Sequence, residues 1–204
     1  MHGIANDSVR ELHGVGPKLA HKLAEYGVQR VEDLLFHLPL RYQDRTRVTP
    51  IAAAREGADV VIEGEVRAAD VVFGRRRSLV ARLQDGSGTL TLRFFHFSAT
   101  QKNNLQPGTR VRCFGQVRRG SSGPEMYHPE YRLLQAGETV VEEALTPIYP
   151  TTAGIGQNQW RKLCEQALAR LQREQVDELL PPGDRYHYEL TQALHYLHAP
   201  PPDA

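Results

Sequence analysis

The stretch GTLTLRFF, Gly88 to Phe95, decides the fold. Successive residues of an extended chain face opposite sides, so Leu90, Leu92 and Phe94 share one face while Thr89, Thr91, Arg93 and Phe95 share the other. Burying the leucines rather than two threonines and an arginine sets Phe94 inside and Phe95 outside, beside Arg93. The same alternation runs through the neighbouring segments. DVVIEGEVRAADV (59–71), SLVARLQD (78–85), TRVRCFGQVR (109–118) and EMYHPEYRLL (125–134) read as further strands, set apart by GRRR, DGSG and RRGSSGP. FSATQKNNLQPG (97–108) is too long for a hairpin and has room for one or two helical turns, closed by Pro107-Gly108. Three strands, a short helix and two strands is the order of an OB-fold barrel, a fold that commonly holds single-stranded nucleic acid on its strand 2 and 3 face and adjoining loops.

The charge distribution supports a polyanionic partner. The formal net charge is only +1, but from Arg67 to Arg132 there are twelve Lys and Arg against four Asp and Glu, and the remainder is net acidic. In the fourth strand Val111, Cys113, Gly115 and Val117 alternate inward, and Arg110, Arg112, Phe114 and Gln116 outward. Two loops add Arg75, Arg76 and Arg77, then Arg118 and Arg119, beside glycines that let a backbone approach closely. Arg93, Arg112 and these five loop arginines are therefore the candidate phosphate contacts, and Phe95 is the candidate stacking ring.

Helical periodicity flanks this module. SVRELHGVGPKLAHKLAEYGVQRVEDLLFHLPLRY predicts three short helices, with Pro17 at a first helical position, Gly27 at a left-handed helix end and Pro39 as a stop. Gly14-Val15-Gly16 reads as the hairpin of a helix-hairpin-helix unit, making Gly14, Gly16 and Lys18 a candidate phosphate contact; a purely steric turn between packed helices explains the same glycines. After Gln157 an apolar stripe of Trp160, Leu163, Cys164, Ala167, Leu168 and Leu171 predicts a core-facing helix, followed by a stop at Pro181-Pro182 and a shorter helix in LTQALHYLH. The expected class is α+β, with a helical, helix-hairpin-helix-like region over 1–50, a five-stranded OB-fold barrel over 51–145 and C-terminal helices over 146–204.

Several chemistries lack their residues. DGSGTLTL has glycines without the lysine of a phosphate loop, and neither HExxH nor GxSxG occurs. Cys113 and Cys164 form no CxxC pair, and His128, His195 and His198 have no cysteine or carboxylate companions, so we expect packing roles, no catalytic residue and no metal site. No apolar run is long enough to span a bilayer, and the start MHGIANDSVRE lacks the features of a signal peptide. A cytoplasmic monomer without membrane contact is expected.

Four segments in order carry a family resemblance: LHGVGPKLAHKLAEYGVQRVEDLLFHLPLRYQDRT, RLQDGSGTLTLRFFHFSATQKN, EMYHPEY and LTPIYPTTAGI. Together they resemble the N-terminal region of the RecG family of bacterial ATP-dependent DNA helicases, from about Leu12 to Pro201. The resemblance implies a wedge domain that enters the branch of a replication fork or Holliday junction and splits strands while a separate motor pulls duplex DNA. It implies that aromatic residues of the wedge stack on bases at the branch; the matching positions here are Phe95 and Phe97, the latter assigned by the resemblance. Branched DNA, single-stranded DNA and the protein's own C-terminal helicase domains are the implied partners, in a bacterial cytoplasm. The motor motifs are missing, so the chain is expected to be a fragment that binds DNA and needs no cofactor, with ATP and Mg2+ belonging to the motor domains. The alternative is an OB-fold protein-interaction or structural adaptor without direct DNA binding, its rings covered by its own helices.

Overall fold

The computed structural model divides into two compact units, with the break near residue 45, ahead of the change of apolar period at about Ala58. The structure describes residues 7–135, 142–151, 154–171 and 188–203. One unit comprises residues 1–44 and 143–204, the other residues 45–142. The two terminal segments, separate in sequence, thus share a single core.

In the helical unit, α1 (Pro17–Glu25) begins with a proline at its first position and ends before Gly27, whose φ of 78° only glycine adopts without strain. α2 (Val31–Leu35) starts where the amides of Gln29 and Arg30 both donate to the Asp33 carboxylate at 2.8 Å. The first expected helix is instead a single 3-10 turn, Val9–Glu11, because Gly14 and Gly16 follow too soon for more. The stripe of α4 (Gln157–Leu171) behaves as its period dictates. Trp160, Leu163, Cys164, Ala167 and Leu171 are buried against Leu23, Val31, Leu34 and Leu35 from α1 and α2 and Leu194 from α5 (Leu190–His198). The stop expected at Pro181-Pro182 lies outside the described residues.

One feature of this unit was not expected. A two-stranded sheet joins β1 (Arg41–Gln43) to β8 (Thr146–Ile148), antiparallel, with Tyr42 opposite Pro147. His198 is buried, its Nδ1 2.8 Å from the Tyr149 hydroxyl and its Nε2 2.8 Å from the Leu35 carbonyl, so it is a core residue with both ring nitrogens partnered. Burial lowers its pKa, favouring the neutral ring those two bonds need.

The second unit is a closed barrel. β2 (Asp59–Val72), β3 (Ser78–Gln84) and β4 (Thr89–Phe94) form an antiparallel meander. α3 (Ala99–Asn104) follows, capped reciprocally by Ser98 and Gln101, and Leu105 behind it is fully buried. β5 (Arg110–Gly120) pairs back on β2, and β6 (Gly123–Tyr127) closes the barrel by lying parallel to β4, with Leu92 beside Met126. This is OB topology. The inward set is the one parity selects: Leu79, Ala81 and Leu83, Leu90, Leu92 and Phe94, then Val111, Cys113 and Val117 are all buried. Each such aliphatic or aromatic side chain contributes about 1.5–3 kcal/mol by leaving water. Gly64 lies where β2 bends from one partner to the other. A Cβ there would stand 2.7 Å from the Gln84 carbonyl oxygen, so only glycine fits.

The barrel departs from expectation at its last strand. EMYHPEYRLL is two strands, β6 and β7 (Glu130–Leu133), giving a six-stranded sheet in place of five strands. Between the pairs Val117–Met126 and Phe114–Glu130, three steps along β5 face four along β6 and β7, so one extra residue bulges out. His128 there has φ 48°, and Pro129 supplies no amide to the ladder.

Candidate nucleic-acid interface

One end of the barrel gathers aromatic rings and arginines from four segments that are far apart in sequence. β2 ends in an exposed loop, and Phe73 at its start is 80% exposed. The Arg77 guanidinium from the same loop lies 5.9 Å from the Phe73 ring centre and 4.9 Å from that of Phe97, bridging the loop to the segment after β4. Phe95 meets Tyr127 of β6 edge to face at 5.4 Å, and the Arg118 guanidinium from β5 lies 5.4 Å over that tyrosine ring. The result is a rim of rings, each tied to a cation or to another ring. Its outermost members, Phe73 and Tyr127, have no place in the core.

The expected residues divide when placed in the structure. Phe94 is core, 2% exposed, and Phe95 is half-buried, its outer side taken up by Tyr127 and His128 rather than left open. Phe97, like Phe95, is half-buried. Expected at the branch-facing tip, it packs in part against the barrel core, with the Arg77 guanidinium over its ring. Arg75, Arg76 and Arg77 are exposed in the β2–β3 loop, and Arg118 and Arg119 are exposed near the end of β5.

Arg93 and Arg112 are engaged within the barrel wall. Both lie on the face opposite the core, as parity requires, and each is paired with a glutamate. Arg93 forks onto Glu125, with Nε and Nη2 each donating at 3.2 Å, and its Nη1 donates to Ser78 at 3.4 Å. Hydrogen bonding to the Glu125 carboxylate pushes the Arg93 pKa up from its already high value. Glu125 is 3% exposed, so the pair belongs to the barrel wall. Arg112 is 8% exposed and donates from Nε to Glu63 at 2.7 Å. A third arginine, Arg45, makes a two-pronged bond to Glu130 at 2.9 and 3.1 Å and lies 3.9 Å over the Phe114 ring.

In the helical unit, Gly14 has φ 85°, Gly16 caps the N-terminus of α1 without a side-chain bond, and Lys18 is exposed. With one 3-10 turn in place of the preceding helix, the hairpin is a turn before a single helix. Both cysteines are buried and free, their thiols pushed up to about 12 by desolvation, which leaves them unreactive. Among the described residues no set of three His, Cys, Asp or Glu could hold a metal, and no helix is long and apolar enough to cross a membrane.

Sequence reasoning missed Phe73 and Tyr127. Phe73 stands just beyond the alternating part of β2 and abuts GRRR, a signal available in hindsight from an aromatic residue placed against a basic loop. Tyr127 was hidden by the bulge, which breaks the parity of the last strand.

Comparison with known proteins places this architecture. Residues 8–171 match the RecG wedge domain family. The chain is similar to the ATP-dependent DNA helicase RecG of Pasteurella multocida, 49% identical over 194 residues that make up 94% of this chain and 28% of the relative. The Haemophilus influenzae helicase of the same name is 50% identical with the same coverage, and that of Escherichia coli K12 is 48% identical over 193 residues. The chain therefore spans 28% of the length of these relatives. Among solved structures, a RecG bound to a three-way DNA junction aligns with 96% of this chain and 27% of its own at a TM-score of 0.79 and 27% identity. With the match running through both units and the relatives near half identical, the chain belongs to the RecG wedge domain family.

Proposed function

We propose that this chain binds branched DNA and acts as the strand-separating wedge of an ATP-dependent helicase. The single observation that carries the reading is the rim at one barrel end, where Phe73, Phe95 and Tyr127 are interleaved with Arg77 and Arg118. Rings of this kind stack on bases of any sequence, and the adjoining guanidiniums attract the backbone on either side. The likeness to a RecG bound to a three-way junction supports the same reading.

Mechanistically, the wedge works by position and charge alone. A duplex drawn against the rim presents its last base pair to the aromatic rings. Stacking on a ring replaces the lost stacking on the next pair, and Arg75, Arg76, Arg77, Arg118 and Arg119 draw the two separated backbones to either side of the barrel. The whole protein would add the motor: ATP with Mg2+ would supply the pulling force there, and replication forks and Holliday junctions would be its substrates, in a bacterial cytoplasm and as a monomer.

Fluorescence anisotropy with labelled three-way junction, fork and single-stranded DNA tests the proposal. The 204-residue chain should bind the branched forms, with log affinity falling linearly as log salt rises. Absence of binding at low salt would overturn the reading and favour a protein-docking adaptor.

A further inference from the structure

We propose that His128 is the positioning residue of the aromatic rim, and that its neutral form holds Phe95 in the orientation in which it can meet a base. The inference rests on reading the rim as the DNA contact. The Phe95 amide donates to His128 Nε2 at 3.2 Å, a bond from the end of β4 to the bulge between β6 and β7. The His128 amide donates in return to the Arg93 carbonyl at 2.9 Å, so the two segments are tied twice. The ring stands among its neighbours on three sides: Phe94 at 6.0 Å edge-on, Phe95 at 5.6 Å, and His96 stacked at 6.1 Å.

The backbone explains why this side chain can reach. Among the described residues His128 is the one non-glycine with positive φ, and histidine is among the few residues enriched there. The left-handed turn, imposed by the extra residue and Pro129, sends the imidazole back across the strand end instead of along the sheet.

A proton would undo the lock. Nε2 accepts only while it carries no hydrogen, so the neutral ring holds its single proton on Nδ1. Protonation turns Nε2 into a donor facing the Phe95 N–H, and the tie becomes a clash of two donors. His128 is exposed, so solvent protons reach it. The charged and titratable groups around it are His96 on the same strand end, Tyr127 with Arg118 over its ring, and the Arg93–Glu125 pair in the wall below.

The test places 2-aminopurine at the branch of a three-way junction saturated with the 204-residue chain, so that quenching reads stacking rather than affinity, at about pH 8 and about pH 5.5. The Phe95 amide is followed in parallel by NMR. Wild type should quench at the higher pH and lose quenching at the lower, with the Phe95 amide shifting over the same range. His128→Gln, which keeps an acceptor near the Nε2 position and cannot charge, should quench equally at both. His128→Phe, which keeps a ring without the acceptor, should quench poorly at both, with far-UV circular dichroism confirming that each variant is folded. Wild-type quenching that is equal at the two pH values on bound DNA would overturn the role of His128 while leaving the wedge intact. A chain that binds no junction at all would overturn the DNA reading, and the Phe95 amide would then decide by itself whether His128 locks that segment.

Discussion

The barrel wall and the barrel rim are built from the same residue types and do opposite things with them. In the wall, Arg93, Arg112 and Arg45 each face a glutamate, and the Phe114 ring lies under a guanidinium that is already neutralised. At the rim, Arg77 and Arg118 face rings, with no carboxylate bonded to either among the described ion pairs, and two of those rings, Phe73 and Tyr127, are exposed. The lesson is that an arginine beside an aromatic on an outer barrel face carries no message alone. A carboxylate partner on the neighbouring strand turns the guanidinium into scaffold, because a paired and hydrogen-bonded charge has little left to offer a phosphate. Where no such partner stands opposite, the same guanidinium keeps its field for a ligand.

Two adjacent phenylalanines give the widest separation between the regions. Phe94→Ala should lower the stability of the barrel by about 3–5 kcal/mol, since it empties a buried site; a urea denaturation midpoint unchanged from wild type would remove Phe94 from the core. Next in size, Glu125→Ala should cost roughly 3 kcal/mol by stranding the Arg93 charge in the wall. Denaturation monitored by circular dichroism measures it, and a variant that instead keeps its stability and binds DNA more tightly would return Arg93 to the interface. Phe95→Ala should weaken junction binding by about 1–3 kcal/mol, with a far-UV spectrum like that of wild type. Equal anisotropy titrations for variant and parent would dissolve the distinction between rim and wall at this position. The smallest effect is a slope: replacing Arg75, Arg76 and Arg77 together by alanine should flatten log affinity against log salt by about 2, at 0.7–0.9 per lost phosphate contact. The same replacement at Arg112 should leave that slope alone, and a drop there would contradict its placement in the wall.

How far the sequence could be read varied with the range of the interaction that decided each feature. The period of Leu90, Leu92 and Phe94 made the core face legible, because a strand alternates regardless of its partners. The stripe of α4 was legible for the same reason at a period of 3.6. The last strand was misjudged as continuous. Pro129 was visible in it, yet a proline fits an edge as well as a bulge, and only the register against β5 shows the extra residue. Arg93 and Arg112 were read as outward-facing and are so by parity, but parity does not tell what stands opposite. The small sheet of β1 and β8 joins segments about a hundred residues apart in chains of three residues, too short for any periodic signal.

By itself, then, the sequence determined the alternation of helical and strand regions, the inner face of the barrel, the basic middle and the family resemblance, all of which rest on local periodicity, composition or ordered motifs. Tertiary structure alone decided which arginines are spent on glutamates across the sheet, which rings reach the rim, and that His128 ties Phe95 to the bulge. Those outcomes depend on pairs such as Arg93 with Glu125, and Phe95 with Tyr127, which lie 32 residues apart in each case and meet only when β4 and β6 close the barrel side by side. Local sequence fixes which way a side chain points, and the closing of the barrel fixes what it finds there.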